Sequence, residues 1–320
     1  MFFTRQTPNL LAVDLGIDAI HVLSARTSRG KVQVEDLAFE TLPPGPSASL
    51  PDRHLEALGG LLGKLRLRSR RVVAALPTSL ILTRTIRLDP GQGQTTEERI
   101  IWTLRNCLPF DPRDLVFDYW PVGEDQGKGQ EVIVVATQAS LVERYLSGFG
   151  KLKLRCVHLD VVPCALGALI ARTVQPADSP VCTLALAAGQ GFFGVAERGK
   201  ILFWRPFELA GAGSQTPLEQ KHLERIAEEV ARCFTHIASS MPLEKLSQMM
   251  LFGQWSDNPA LGNYLGNHFH LPTRNPSPLQ ALGADGLSAA ARQSADLAQS
   301  TQYAAAVGLT LQYSGGVHHG

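Results

Sequence analysis

A short apolar strand that runs into a tight glycine turn and out into a second strand opens this chain, and the same unit returns past its midpoint. Leu10 to Asp14, then Gly16 and Ile17, then Ala19 to Ser24 form the first copy. Val181 to Ala187, Phe192 to Glu197 and, after the turn at Arg198 and Gly199, Lys200 to Arg205 form the second. A supersecondary unit that recurs in this way marks a duplicated α/β architecture. At 320 residues the chain is also longer than one compact core usually supports. Two lobes, each a sheet with covering helices, are therefore expected.

The periodicities fill in the rest. Lys31 to Phe39 alternates as a third strand, and the proline-rich stretch 42–52 is a loop, because prolines cannot join a ladder. Leu55, Leu58, Leu61, Leu62 and Leu65 make one helical stripe, and Arg71 to Leu76 and Ile81 to Leu88 read as strands, completing a βββαββ run. A glycine-rich break at Pro90 to Gly93 opens a separate unit. Thr95 and Glu98 stand at capping-box spacing before Ile100, Ile101, Leu104 and Leu108, and Pro109 stops that helix. Strands at Leu115 to Val122 and Glu131 to Thr137 follow, then a helix on Leu141, Tyr145 and Phe149, giving an inserted αββα subdomain.

Leu154 to Asp160 is again a strand, and Val162 to Arg172 is a helix with Pro163 in its first turn. Thr216, Pro217 and Glu219 supply start signals for a long helix carrying Leu223, Ile226, Val230, Phe234 and Ile237. Gln248 to Phe252 is a buried strand ending at Gly253, and Thr273 to Ser300 has the composition of a loosely ordered stretch. Tyr303 to Leu311 is a helix rich in Ala and Gly, like Val162 to Arg172, and such small residues let two helix backbones cross closely. The expected division is a first lobe at 1–89, completed by 154–178 and a C-terminal helix at 302–313. The insertion occupies 90–153, and the second lobe occupies 179–301 with its long helical segment at 216–240.

Composition narrows the function. Hydrophobic residues at 44%, charged residues at 18% and a net charge of +1 describe an ordinary globular protein and disfavour one that lives on nucleic-acid phosphates. The basic run Lys64, Arg66, Arg68, Arg70 and Arg71 reads as a solvated helix end leading into a strand; the alternative is a contact for acidic lipid headgroups. Cys107, Cys156, Cys164, Cys182 and Cys233 form no CxxC pair, the pattern of buried thiols in a reducing compartment. No apolar run approaches the roughly 20 residues that cross a bilayer, so a cytoplasmic location is expected. Walker-type GxxxxGK loops, zinc-ligand spacings and a Ser, His and Asp set are absent from the sequence.

In order and spacing, LAVDLGIDAIHVLSA, AALPTSLILTRTIRL, CLPFDPRDLVFDYWPVG, GKILFWRPFELAG and YAAAVGLTL make the chain similar, over nearly its whole length, to the type IV pilus assembly protein PilM family. The resemblance implies an α/β, actin-like ATPase (ribonuclease H-like) fold of two duplicated lobes, with the inserted αββα subdomain in the first. It implies a scaffold at the inner face of the inner membrane, in a type IV pilus or a related type II secretion platform. Its partners are the cytoplasmic tail of a PilN-like bitopic membrane protein and other platform proteins, so the membrane is reached only indirectly. Partner-binding candidates are Leu108, Phe110, Tyr119 and Trp120. ATP with magnesium is the implied cofactor. Asp14, Gly16, Gly189, Gly191 and Gly253 are the nucleotide-binding candidates, and Asp14 is the residue that would hold the metal through water.

The chain departs from that pattern in three places. Ile17, Asp18 and Ala19, then His21, replace the family's small hydroxyl residues and lysine, and a carboxylate at Asp18 opposes a phosphate. In the second lobe, counting back from Arg198 and Gly199 puts Ala185 and Ala187 where the family has Asp and Gly. A different register puts the turn at Gly189, Gln190 and Gly191, and neither supplies an acid. Gln254 follows Gly253 where paired glycines let an adenosine approach the backbone. The expectation is accordingly a scaffold with a degenerate nucleotide site and no efficient catalysis. Alternatives are a nucleotide-binding or slowly hydrolysing ATPase of the same machinery, or a small-molecule kinase, for which Asp160 is the spare acid; as a structural group, Asp160 would cap the helix after it.

Overall fold

The computed structural model describes residues 9–28, 31–67, 69–88, 95–105, 114–122, 129–174, 179–213, 216–238, 245–283, 286–289, 291 and 301–314. The chain divides into a larger unit, Met1–Thr78 with Phe149–Gly320, and a smaller one, Ser79–Gly148.

The larger unit holds two sheets. In the first, β1 (Asn9–Leu15), β2 (Ala19–Ser28) and β3 (Lys31–Thr41) form an antiparallel meander, and β4 (Arg71–Leu76) and β8 (Arg155–Val161) continue it in parallel, in the order β3-β2-β1-β4-β8. In the second, β9 (Val181–Ala187), β10 (Gln190–Glu197) and β11 (Lys200–Glu208) repeat the meander. Here β12 (Met249–Gly253) and β13 (Thr273–Arg274) extend it in parallel, in the order β11-β10-β9-β12-β13. The two sheets match strand for strand, which is the expected duplication. Central strands such as β1 are buried at nearly every residue, because helices cover both faces.

Helix α1 (Leu50–Leu62) turns His54, Leu58 and Leu61 inward in the first lobe. In the second lobe α5 (Gln220–Ile237) and α6 (Pro259–Phe269) pack on the core built around Leu184, Phe193 and Leu251. The long helix starts later than expected. Its N-cap is Glu219, whose backbone N–H donates to His222 Nδ1 at 3.1 Å while its side chain caps the His222 N–H, leaving Thr216 and Pro217 in the lead-in.

Helices α4 (Val162–Thr173) and α7 (Ala304–Ser314) meet between the two sheets. Ala165, Leu169, Ala305 and Leu309 share one core with Leu10, Ala12 and Val73 of the first sheet and with Phe192, Met250 and Phe252 of the second. A methyl group on Gly308 would overlap the Ala165 carbonyl, so only glycine permits this crossing. Of the stretch expected to be loosely ordered, the described residues 273–283, 286–289 and 291 are built in. Val34 donates to the Gly286 carbonyl at 2.8 Å and accepts from Ser288 at 2.9 Å, and Leu279 and Ala291 are buried in the shared core. Residues 292–300 lie outside the described residues.

The smaller unit is a three-stranded antiparallel sheet of β5 (Leu82–Leu88), β6 (Leu115–Val122) and β7 (Gln130–Gln138), in the order β5-β7-β6, with α2 (Thr96–Arg105). Helix α3 (Ala139–Lys151) leaves it. The expected α-β-β-α run is present, but β5, read as the last strand of the first lobe, pairs along its whole length with β7. The compact unit therefore begins at Ser79 rather than at 90. The capping box stands: Thr95 N–H donates to Glu98 Oε2 at 2.8 Å and Glu98 N–H to Thr95 Oγ1 at 3.2 Å.

Candidate functional site

In the first lobe the β1–β2 turn is held from both sides. Asp14 lies opposite His21 in the antiparallel register, and a methyl on Gly16 would overlap the Ala19 carbonyl. From α1, His54 Nε2 stands 2.7 Å from the Gly16 carbonyl oxygen, so a neutral imidazole donates to the turn. Burial pushes the His54 pKa down to about 4, the Gly16 bond opposes that shift and the Arg53 charge adds to it. The sequence reading passed over His54; its signal was a histidine at i, i+4, i+7 spacing with Leu58 and Leu61, on a face where a buried polar group needs a partner. Asp18, half-buried, has its carboxyl pKa raised, first by burial and further by Asp14, against its own backbone hydrogen bond and His21.

Asp14 is buried, with Oδ2 3.7 Å from His21 Nδ1 and Oδ1 without a hydrogen-bond partner. The His21 ring lies against Phe39, at a centroid separation of 6.1 Å, and meets the edge of Tyr303 at 5.1 Å. Neither His21 nitrogen nor the Tyr303 hydroxyl has a hydrogen-bond partner, and burial pushes the Tyr303 pKa up to about 12. Each unsatisfied buried group costs about 1–3 kcal/mol. The end of β1 is thus a buried polar cluster, packed by an aromatic ring from the residue before α7.

The second-lobe turn falls at Ala188 and Gly189, since Ala187 pairs with Gln190 and Gly189 has φ +73°. Its Gly189 N–H donates to the Ala212 carbonyl and its carbonyl accepts from Leu209 N–H at 2.8 Å. Gly191 is not in the turn. It lies inside β10, where a methyl would press on the Phe207 ring and Leu186.

Gly253 ends β12 with φ +77°, and a methyl there would overlap the Leu186 carbonyl. Gln254 donates its backbone N–H to that same carbonyl at 2.8 Å and its Nε2 to the Gly213 carbonyl at 2.7 Å. Trp255 donates its indole N–H to the Thr216 carbonyl at 2.8 Å and stacks on His222 at 5.0 Å. Gly189 and Gly253 therefore converge on the same neighbourhood, where the Ala212, Gly213 and Thr216 carbonyls take donors from both turns. Asp14 and Gly16 are grouped separately, with His21, His54 and Tyr303.

Asp160, at the end of β8, does not cap α4; Val161 holds the N-cap position without a side-chain bond. Its Oδ1 accepts from Val161 N–H at 2.7 Å and its Oδ2 from the Tyr313 hydroxyl at 2.9 Å, while the Tyr313 ring stacks on His158 at 4.2 Å. Burial raises the Asp160 pKa, and these hydrogen bonds oppose it.

In the smaller unit Tyr119 donates its hydroxyl to Glu97 Oε1 at 3.0 Å. With Leu88, Arg99, Pro121 and Gln130 it lines a cavity of about 280 Å³. Trp120 is the next residue along β6 and so points to the opposite face of the sheet, outside that cavity. Leu108 and Phe110 lie outside the described residues.

A family model described as type IV pilus assembly protein PilM matches residues 12–216. Among solved structures, a chain of a PilM–PilN type IV pilus biogenesis complex is similar with a TM-score of 0.81 at 21% identity, covering 97% of this chain and 99% of that one. A Bacteroides thetaiotaomicron protein with an actin-like ATPase fold and unknown function is similar with a TM-score of 0.53 at 14% identity, covering 88% of this chain and 98% of that one. The cytoplasmic domain of EpsL, an inner-membrane component of the Vibrio cholerae type II secretion system, gives 0.50 at 13% identity, covering 88% and 84%. At these identities the likeness is one of fold, and the fold is the actin-like ATPase fold.

Proposed function

The chain belongs to the type IV pilus assembly protein PilM family, and from that premise we propose that it is a cytoplasmic scaffold of a type IV pilus or related secretion platform, gripping the cytoplasmic tail of a PilN-like membrane protein. The observation that carries this reading is the family match across 12–216, which takes in the first sheet from Ala12 on, the whole smaller unit and the second-lobe meander. None of the described helices is long and apolar enough to cross a membrane; in this reading attachment at the inner membrane runs through the partner. The cavity beside Tyr119 is the first place to look for the tail.

The nucleotide site is read as degenerate. Phosphoryl transfer depends on several placed charges acting together. Here the second-lobe turn, Ala187 to Gln190, carries no carboxylate, and its Gly189 N–H is spent on Ala212. Gln254 crosses to Gly213 at the turn where an adenosine would approach, and His21, packed by Tyr303, stands 3.7 Å from Asp14. These residues do not fit a bound magnesium–ATP, and no catalytic step is assigned through it. A small-molecule kinase loses its spare acid, because Asp160 is engaged by Tyr313.

A second reading, a nucleotide-binding or slowly hydrolysing ATPase, is favoured by one observation: Asp14 Oδ1 is a buried acceptor without a partner, as a metal-bound water would require. Equilibrium titration with fluorescent ATP and magnesium separates the two. The scaffold reading expects no saturable binding at micromolar concentrations, and low-micromolar affinity abolished by Asp14→Ala would establish the second. Pull-down by a PilN-like tail peptide tests the scaffold itself.

A further inference from the structure

The chain carries a net charge of only +1, yet one end of the first-lobe sheet gathers cations from two distant segments. Strands β4 and β8 start side by side with Arg71 opposite Arg155, and Arg155 N–H donates to the Arg70 carbonyl at 2.7 Å. Helix α3 ends at Lys151, and the turn after it puts Lys153 in the left-handed region at φ 57°, its N–H on the Gly150 carbonyl at 2.9 Å. That turn lies against Arg70, whose guanidinium donates to the Leu152 carbonyl at 3.5 Å. Arg70, Arg71, Lys151, Lys153 and Arg155 are all exposed. Neither 63–72 nor 150–158 contains an acid. Two carboxylates of β3 are engaged by the adjoining basic run, Glu40 by Lys64 at 3.2 Å and Asp36 by the Arg66 N–H at 2.9 Å.

Five like charges held together repel one another, and folding them onto one edge raises the energy of the chain until an anionic surface faces them. The acceptors within the array, the Arg70 and Leu152 carbonyls, are taken up by its own donors, so it presents charge rather than a shaped site. A diffuse field of anionic headgroups needs no such matching and favours each basic side chain near it. We propose that this edge of the first lobe docks directly on a bilayer surface rich in anionic lipid. The inference goes beyond the proposed function, in which the membrane is reached only through a protein partner, and it holds or fails without that partner.

The test is co-sedimentation of the full chain with vesicles of phosphatidylcholine containing one third phosphatidylglycerol, against vesicles of phosphatidylcholine alone. Binding is expected only to the anionic vesicles, and high salt should abolish it. The double variant Lys151→Glu and Lys153→Glu should bind at least tenfold more weakly, since each lost cation is worth roughly fivefold near an anionic leaflet. A control with the same charge change at the exposed Lys200 and Lys245, both →Glu, should stay within about twofold of wild type. Circular dichroism confirms that each variant is folded. No sedimentation of wild type with anionic vesicles at low salt would overturn the proposal. Equal loss in the control would do so too, as would binding to polyglutamate but not to vesicles, which would indicate an acidic protein partner instead.

Discussion

Gly308 of α7 and Ala165 of α4 meet backbone to backbone: the space a side chain would need on Gly308 is filled by the Ala165 carbonyl. This crossing joins the core of the first sheet to that of the second, so its closeness sets how the lobes are held together.

Gly308→Ala should therefore cost about 3 kcal/mol or more, since a rigid backbone has to move to admit the methyl. Gly60→Ala, in α1 with nothing near the added methyl, should instead stabilise by about 0.5–1 kcal/mol through helix propensity alone. Urea unfolding midpoints of the two variants measure both, and equal shifts would contradict the close crossing.

Tyr313→Phe removes the donor to a buried carboxylate and should destabilise by about 1–3 kcal/mol, because Asp160 Oδ2 loses the hydroxyl 2.9 Å away. In a double-mutant cycle with Asp160→Asn the two losses should not add, since both act on the same bond.

His54 gives the fold a pH dependence of known sign. Its folded pKa, about 4, lies below the ordinary 6.5, so between those values the unfolded chain takes up the proton first. Stability should be fully present above about 6.5, fall as the pH drops toward about 4 and then level, by up to about 3 kcal/mol in all. Unfolding free energies of wild type and His54→Gln over this range test it: the variant should lack the slope, and parallel profiles would refute the assignment.

Gln254→Ala removes the side-chain bond to Gly213. Amide exchange followed by mass spectrometry should show the segment 209–216 opening roughly fivefold more often, the worth of one hydrogen bond, with α5 unchanged. An unchanged 209–216 segment would mean that the Gly189 and Trp255 bonds hold it without Gln254.

The duplication was legible because it is written locally, in two strand–turn–strand units whose apolar runs and turn residues need no distant information. Small residues marked α4 and α7 for the same reason: glycine and alanine are what a close crossing demands. The sheet to which Leu82–Leu88 belongs was not legible, since strand pairing is a long-range choice and β7 stands far along the chain. The described residues of the Pro-, Ser- and Gly-rich segment 273–291 concealed their order because that order comes from two backbone bonds to Val34 and from Leu279 in the core, not from periodicity. At the site, missing acids could be read from the letters. The carbonyls of 209–216 that take up the turn donors could not, because backbone acceptors leave no trace in sequence.

The most direct test of the scaffold account is a fluorescence anisotropy titration of the full chain with the labelled cytoplasmic tail of a PilN-like protein, with and without magnesium–ATP. The account predicts saturable binding that is the same in both conditions. Binding that requires the nucleotide, or none by a chain shown to be folded, would contradict it.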